Sequence, residues 1–441
     1  MTGKGGDANG VVSQSNAAEE LTPLALARRQ TWYPAYGILG ALTSLAAILL
    51  PITMADARLP PSHIGMVMSS LSVGVLLSPL WGRLADRTRA YRAIFSVGFI
   101  LVGLSFAAFC VTRSPLVWAL VALLQGVGVA AVSTVASLLV VVSNSRSEWD
   151  QHIGWLQSYN TAGQVAGLAL AGVLSSTQGL QLAAALSLPA ILLAFRVSCD
   201  GAKSPLGARS ATALAASTRL TRRTELFTRT PFHALDAPLL IADLRQLALS
   251  RFGRFLAGWF SLTLATSAFF SLYPVMMPRV YGISAQLVAE LYAVAILFTL
   301  PLYSLVGRWS ERFGAGRMLR IGAGARALAF LALGLLAFAS FSAASALVLA
   351  SFAALQGLWP FLGVSATDLS ARLSKFGEGA GIGILNGTAA LAGAVGAVVG
   401  GLCAGHFGYW SVPFLGAAGA ALCWLLSGRL IPHGMRARSV S

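Results

Sequence analysis

The chain has 441 residues, of which 56% are hydrophobic and only 10% are charged. Soluble domains are about half apolar and about a quarter charged, so this composition excludes an ordinary soluble protein. The net charge of +16 is compatible in principle with a nucleic-acid partner. The basic residues are spread over many loop ends instead of forming one patch, however, and we expect no nucleic acid to bind.

Long apolar segments recur along most of the chain. About 20 helical residues cross the hydrocarbon layer of a membrane, and such segments must be helices because lipid offers no partner to an unpaired backbone N–H or C=O. The predicted fold class is therefore an all-α membrane protein with twelve transmembrane helices. The predicted spans cover residues 33–55, 63–81, 92–112, 115–141, 153–176, 179–197, 252–275, 284–305, 317–339, 343–368, 380–403 and 408–430.

The spans form two groups of six, separated by a long basic segment. We read that segment either as a flexible linker or as a regulatory or lipid-binding element, since residues 239–249 have the helical spacing of a membrane-surface helix. The predicted organisation is an N-terminal tail at 1–32, a six-helix bundle at 33–197, a linker at 198–250, a second bundle at 251–430 and a tail at 431–441.

The distribution of positive charge predicts the orientation. Of the 31 Lys and Arg residues, all but four fall in the tails, the linker and the loops on the same side as the linker. The exceptions are Arg58, Arg113 and Arg279 on the opposite side and Arg326 inside span 9. Because cytoplasmic loops carry the excess of Lys and Arg, both termini are expected in the cytosol.

An internal repeat links the two groups of spans. Residues 82–87 read Gly-Arg-Leu-Ala-Asp-Arg after span 2, and residues 307–312 read Gly-Arg-Trp-Ser-Glu-Arg after span 8. The Gln-Gly pair at 125–126 in span 4 recurs at 356–357 in span 10. Spans 5 and 11 also align, with Gln157 opposite Asn386. Three matches in the same order indicate two similar halves, the usual architecture of a transporter with its substrate path between them.

With these features the chain resembles the major facilitator superfamily over nearly its whole length. The loop signature of that family follows span 2 and stands here as Gly82, Leu84, Asp86, Arg87, Arg89 and Arg92. The resemblance implies two six-helix bundles that rock about a central site, in alternating access, with spans 1, 4, 7 and 10 lining the cavity.

The loop signature predicts a gating latch. An acid beside a helix N-terminus is stabilised by about 0.3–1 kcal/mol, so Asp86 is expected to hold the start of span 11 when the cytosolic side closes, and Glu311 to do the same toward span 5. The alternative is that the signature only enforces topology, which its arginines would achieve unaided. The predicted latch residues are Gly82, Asp86, Arg87, Gly307, Glu311 and Arg312.

The candidate substrate-binding residues are uncharged. Aromatic and amide side chains suit an amphipathic organic solute, with a large apolar face and a few orienting hydrogen bonds. For each amide the alternative is a hydrogen bond that only joins two helices. Pro360, beside two of the candidates, is expected to kink span 10 and free a carbonyl. The candidates are Tyr36, Gln125, Gln157, Tyr159, Asn160, Trp259, Gln356, Trp359 and Asn386.

Two ionisable residues lie well inside predicted spans, and intramembrane charges are functional candidates by default. Glu290 in span 8 is the candidate proton carrier, on the expectation that its carboxyl is buried. Arg326 in span 9 either pairs with Glu290, if their depths match, or extends its side chain to the interface. Many proton-coupled exporters of the family carry an Arg in span 4 where this chain has Ala122, which puts coupling by that route in doubt.

The sequence contains no zinc-ligand spacing and no Gly-x-x-x-x-Gly-Lys-Ser/Thr motif, so we expect no metal, no cofactor and no enzymatic activity. The predicted function is secondary transport of a small organic solute by a monomer in a bacterial-type inner membrane, with efflux coupled to protons. The alternatives are an uptake symporter or uniporter and, in another class, a transporter-like receptor or scaffold. The expected partners are the solute, protons and the lipid bilayer.

Overall fold

A computed structural model describes residues 32–112, 114–143, 149–195, 250–339, 343–374 and 378–428. The predicted tails and linker, and the possible surface helix at 239–249, lie outside these ranges except for Trp32 and Ser250. All regular elements in the described part are helices, and they follow the twelve predicted spans to within a few residues at most ends.

The first six spans are Tyr33–Asp56 (span 1), Pro61–Val75 with Ser78–Thr88 (span 2), Tyr91–Val111 (span 3), Pro115–Ser143 (span 4), Trp149–Val173 (span 5) and Ser176–Phe195 (span 6). The second six are Arg251–Phe270 with Tyr273–Tyr281 (span 7), Ala285–Phe313 (span 8), Ala315–Leu336 (span 9), Ala344–Gly357 with Trp359–Leu373 (span 10), Glu378–Phe407 (span 11) and Ser411–Gly428 (span 12).

Nine helical segments of the described part are long and apolar enough to cross a membrane, and counting each of two bent pairs as one span gives eleven. The twelfth is span 5, which is 25 residues long. It is more polar than the others because it carries Asp150, His152, Gln157, Asn160 and Gln164.

Proline explains why three spans are built from two helices. The second helix of spans 2, 7 and 10 begins with Pro79, Pro274 or Pro360 within its first two positions. Proline lacks an N–H and fixes φ, so it is tolerated in the first turn of a helix but interrupts a helix that precedes it. In span 7 the two pieces meet at 63°.

The helices pack as two related halves. Span 1 packs on spans 5 and 6, and span 7 correspondingly packs on spans 11 and 12. The halves meet mainly through two pairs of helices, span 2 against span 11 and span 5 against span 8, and the helix Tyr273–Tyr281 of span 7 also contacts span 1. We call the end of the molecule that carries Arg87, Arg89, Arg312 and Arg317 the basic end, and the opposite end, where spans 2 and 8 begin, the far end.

Candidate functional site

The two halves touch at the far end. A Cβ on Gly401 in span 11 would lie 2.7 Å from the Pro61 carbonyl oxygen and 3.0 Å from the Gly65 Cα, both in span 2. A Cβ on Gly172 in span 5 would lie 3.4 Å from the Glu290 Cγ in span 8. Such close approach of backbones is what glycine permits at helix interfaces, and it closes the far end.

Toward the basic end, the described residues of the same helices show no such close approach. A Cβ on Gly154 in span 5, or on Gly383 or Gly387 in span 11, would meet no atom of another described element within 4 Å. Gln157 and Asn386, each the ninth residue of its helix, are exposed in this region. In the described part of the chain, spans 5 and 11 are therefore more exposed toward the basic end than at the far end.

The N-terminal half contributes a wall of tyrosines and amides. The Asn160 side-chain amide donates to the Tyr36 carbonyl oxygen at 3.3 Å, and the Gln164 amide donates to Asn160 Oδ1 at 2.9 Å. Tyr159 and Asn160 are half-buried, whereas Tyr36 is buried. The structure thus brings three of the predicted residues together where spans 1 and 5 meet.

Sequence reasoning missed two residues beside this wall. The Tyr33 hydroxyl lies 2.9 Å from His152 Nδ1, and the Tyr33 ring packs edge-on against Tyr159 with 5.9 Å between ring centroids. Both Tyr33 and His152 are buried. Only their positions in the first turn of span 1 and span 5 hinted that they could meet.

The C-terminal half contributes a cluster built around a buried arginine. Arg326 lies halfway along span 9 and is 1% exposed. Its guanidinium lies 5.4 Å from the centroid of the Trp359 ring, and the Trp359 ring packs at a tilt against Trp259 with 6.1 Å between ring centroids. Tyr292 lies near the side chains of Gln356 and Arg326. We call Trp259, Tyr292, Arg326, Gln356 and Trp359 the arginine cluster.

Both expectations for Arg326 were wrong. The side chain is too deeply buried to extend to the interface, and it does not pair with Glu290. Arg326 Nη1 donates instead to the Leu355 carbonyl oxygen at 2.7 Å. Leu355 is in the last turn of Ala344–Gly357, where carbonyls lack a helical donor. The break in span 10 beside Pro360 therefore supplies the free carbonyl that the sequence predicted.

Neutral groups together stabilise this buried cation. Removing an ion from water costs several kcal/mol. A hydrogen bond to a charged group returns about 1.5–3 kcal/mol, and a desolvated cation–π contact adds about 2 kcal/mol. The negative end of the helix Ala344–Gly357 favours a cation by roughly 0.3–1 kcal/mol. Phe330 and Phe270 complete the shell, with their ring centroids at 5.6 and 5.9 Å from the guanidinium carbon.

The symmetric glutamines have different surroundings. Gln125 in span 4 is 1% exposed, and its Oε1 atom has no hydrogen-bond partner in the described part of the chain. Gly126 beside it packs against the Leu71 carbonyl of span 2, whereas a Cβ on Gly357 would meet no described neighbour within 4 Å. Gln125 therefore lies within the packing of the N-terminal half, while Gln356 belongs to the arginine cluster.

Glu290 does not lie where we expected. Its side chain is exposed, not buried, and Gln286 Nε2 donates to Glu290 Oε1 at 2.9 Å. The carboxylate sits at the far-end contact with span 5, facing Gly172. Its position ties it to the contact between the halves.

The gating latch stays a prediction. The helix Ser78–Thr88 packs on spans 3 and 4, whereas Pro61–Val75 packs along span 11. Arg87 and Arg312 are exposed and Gly82 is half-buried. Beyond their helix positions, the side chains of Asp86 and Glu311 and the surroundings of Gly307 lie outside the described residues. An open basic end is the state in which a cytosolic latch would be released.

The comparison that decides the family is a match of residues 32–378 to the model of the Major Facilitator Superfamily. The chain belongs to the major facilitator superfamily. It is accordingly a multi-pass membrane protein and a secondary transporter, not an enzyme. No curated protein matches the sequence.

Solved structures of this superfamily share the fold. The nucleoside transporter NupG superposes with a TM-score of 0.71 at 13% identity, covering 92% of this chain and 99% of that one. A bacterial homologue of the human lysosomal transporter Spinster, inward-facing and unoccupied, gives 0.64 at 15% identity, covering 91% and 97%. A proton-dependent oligopeptide transporter gives 0.63 at 13% identity, covering 93% and 100%. Identities this low show the fold alone.

The described residues hold no group of three or more His, Cys, Asp and Glu side chains that could bind a metal ion. The side chains brought together in the two halves are aromatic rings, amides and one buried cation, Arg326.

Proposed function

We propose that this chain transports a small amphipathic organic solute by alternating access, most directly as an exporter coupled to protons. The observations that carry the proposal are the tyrosines and amides of one half, the arginine cluster of the other, and the contacts that join the halves at the far end. Aromatic surface with a few polar groups is typical of sites for drug-sized organic molecules.

The excess of Lys and Arg at the basic end assigns that end to the cytosol. The described state then faces inward, and both termini are cytosolic in a bacterial-type inner membrane. An exporter loads its solute from this side. We propose that one chain, as a monomer, suffices, because both walls of the cavity belong to the same chain.

Glu290 is the proposed coupling group. The carboxylate lies at the contact of span 8 with span 5, so opening the far end would move it away from Gly172 and change its surroundings. A proton that binds Glu290 better in one state than in the other shifts the balance between the states by that difference in affinity. The rival readings, an uptake symporter or a uniporter, use the same cavity.

Proteoliposomes test the proposal. The purified chain is reconstituted and loaded with a labelled aromatic acid, amide or amine, and flux is measured with and without a pH gradient of either sign. Solute movement opposite to the direction in which protons flow supports the proposed exporter. Solute movement in the same direction as the protons supports a symporter. Flux that ignores the gradient supports a uniporter. No protein-dependent flux of any compound rejects transport and favours a receptor or scaffold.

A further inference from the structure

The arginine cluster carries a positive charge that no acidic side chain in the described part of the chain neutralises. The acids whose surroundings are described are engaged elsewhere. Glu290 accepts from Gln286 at the far-end contact, Asp56 accepts from Ser176 at the far end, and Asp368 pairs with Arg372 toward the basic end. The rings and the carbonyl around Arg326 stabilise the cation but leave its net charge unchanged.

The same cluster has more hydrogen-bond donors than acceptors. Three of its buried nitrogen atoms, Trp259 Nε1, Arg326 Nε and Gln356 Nε2, have no acceptor among the described residues. The side chains of tryptophan and arginine can only donate, whereas an ionised carboxylate can only accept. A buried polar group without a partner is costly, so the cluster favours a ligand group rich in acceptors.

A solute would reach the arginine cluster past those of its residues that are half-buried. Trp359 and Tyr292 are half-buried, whereas Trp259, Arg326 and Gln356 are buried behind them. Trp359 begins the second helix of span 10, directly after the break at Leu358. Because helix breaks are where spans bend, a small movement of this helix would uncover the donors.

We infer that the transported solute is an organic anion whose acidic group binds the donors of the arginine cluster. This inference rests on the proposed function. Its apolar part would lie against Trp359 and the tyrosines of the opposite wall. The acidic group can be a carboxylate, sulfonate or phosphate, since all three are anionic and rich in acceptors, and an organic cation is excluded by the unneutralised charge.

Three probes with the same naphthalene ring and different charge test the charge preference: 1-naphthoate, 1-naphthamide and 1-naphthylmethylamine. Binding to the purified full-length protein in detergent is measured by the shift of its thermal unfolding, since a ligand stabilises the state that it binds. We expect 1-naphthoate to bind at least about tenfold more tightly than the amide, and the amine to bind most weakly. Equal binding of the amine or the amide, or no shift with any probe, overturns the inference.

The variant Arg326→Gln tests the residue. We expect it to weaken 1-naphthoate binding at least about tenfold and to leave amide binding unchanged. Arg320→Gln is the matched control, because Arg320 also stacks on a tryptophan, Trp424, at 4.8 Å but lies near the basic end of span 9. If Arg326→Gln does not fold, binding of the three probes to the wild type and to Arg326→Lys still tests whether the site prefers an anion. Retained acid selectivity in a folded Arg326→Gln variant rejects the assignment.

Flux separates this inference from the proposed function. If 1-naphthoate binds selectively but never crosses the proteoliposome membrane, the anion site is supported and transport of this probe is rejected. If the amine or the amide is transported while 1-naphthoate is not, the proposed transport function is supported and the anion site is rejected.

Discussion

The contact between Gly401 and span 2 should control the balance between the two states of the transporter. A methyl group at this position would meet the Pro61 carbonyl oxygen at 2.7 Å, and backbone atoms cannot move aside as a flexible side chain can. Overpacking of this kind costs about 1–3 kcal/mol. In the alternative state, with the far end open, the contact is absent and the methyl group costs nothing there. The variant Gly401→Ala should therefore shift the population toward the far-end-open state by about 5–150-fold.

The neighbouring glycine provides a matched control. A Cβ on Gly400 would also lie 2.7 Å from a carbonyl oxygen, but that oxygen belongs to Ala268 in span 7, within the same half. Gly400→Ala therefore introduces the same atom at the same distance one residue away. It strains a contact that persists when the halves rock as rigid bodies, so it should leave the balance between the two states nearly unchanged.

Cysteine accessibility measures the effect. Ser72 in span 2 lies against Gly393 of span 11, with its Oγ atom 3.6 Å from a Cβ built there. In a background with the four native cysteines replaced, Ser72→Cys is treated with a membrane-impermeant maleimide from the far-end side. We expect labelling at least about 5-fold faster with Gly401→Ala, the lower bound of the population shift. Equal labelling rates in the Gly401→Ala and Gly400→Ala variants would refute this account of closure.

Three further substitutions test other contacts. Asp86→Asn should lower flux while membrane insertion is unchanged, because it removes the charge that the proposed latch needs, and unchanged flux at matched expression would reject the latch. Glu290→Gln should abolish the pH dependence of flux, whereas Asp56→Asn, at another exposed far-end acid, should not; equal effects would argue against Glu290. Tyr33→Phe should destabilise the protein by about 0.5–1.5 kcal/mol, since it removes the bond to His152, and an unchanged unfolding midpoint would contradict this.

The sequence was sufficient for the spans and the internal repeat, because both are properties of the chain itself. The length of each apolar run is set by the thickness of the membrane. The alignment of spans 5 and 11 also carries over to packing. Gly167 packs on span 1 and its counterpart Gly396 on span 7, while Gly172 and Gly401 both lie at contacts between the halves. Aligned residues thus occupy equivalent contacts in the two halves.

The environment of each buried charge was not predictable in the same way. The position of a residue along a helix gives its depth, but its partners are chosen by rotation and packing. Glu290 was placed correctly in span 8, yet it faces span 5 and is exposed. Arg326 was placed correctly in span 9, yet its partners come from spans 7 and 10 and are mostly aromatic faces. Pro360 was the one local signal, since it predicted the free carbonyl.

An anionic solute would give the direction of transport a physical cause. If the basic end is cytosolic, the membrane potential, negative inside, favours the exit of an anion by about 2.3 kcal/mol per elementary charge for each 100 mV. Export of a monovalent anion could then proceed by uniport, and a proton entering at Glu290 would add to the same driving force. The Ala122 substitution in span 4 would be tolerated, because the charge on the solute would supply part of the energy.

Span 8 offers a direct mechanical link between the far-end contact and the arginine cluster. Glu290 faces span 5 of the opposite half, and Tyr292, two residues later and on another face of the same helix, lies near Gln356 in the arginine cluster. A helix transmits a displacement along its length because its backbone bonds hold it as one rigid element. Opening the far end would move Glu290 away from Gly172 and, through the same turn of helix, shift Tyr292 against the cluster. A solute that binds Gln356 and a proton that binds Glu290 would thus both act on the position of span 8. Two sites that bias the same two-state element are what coupling between them requires.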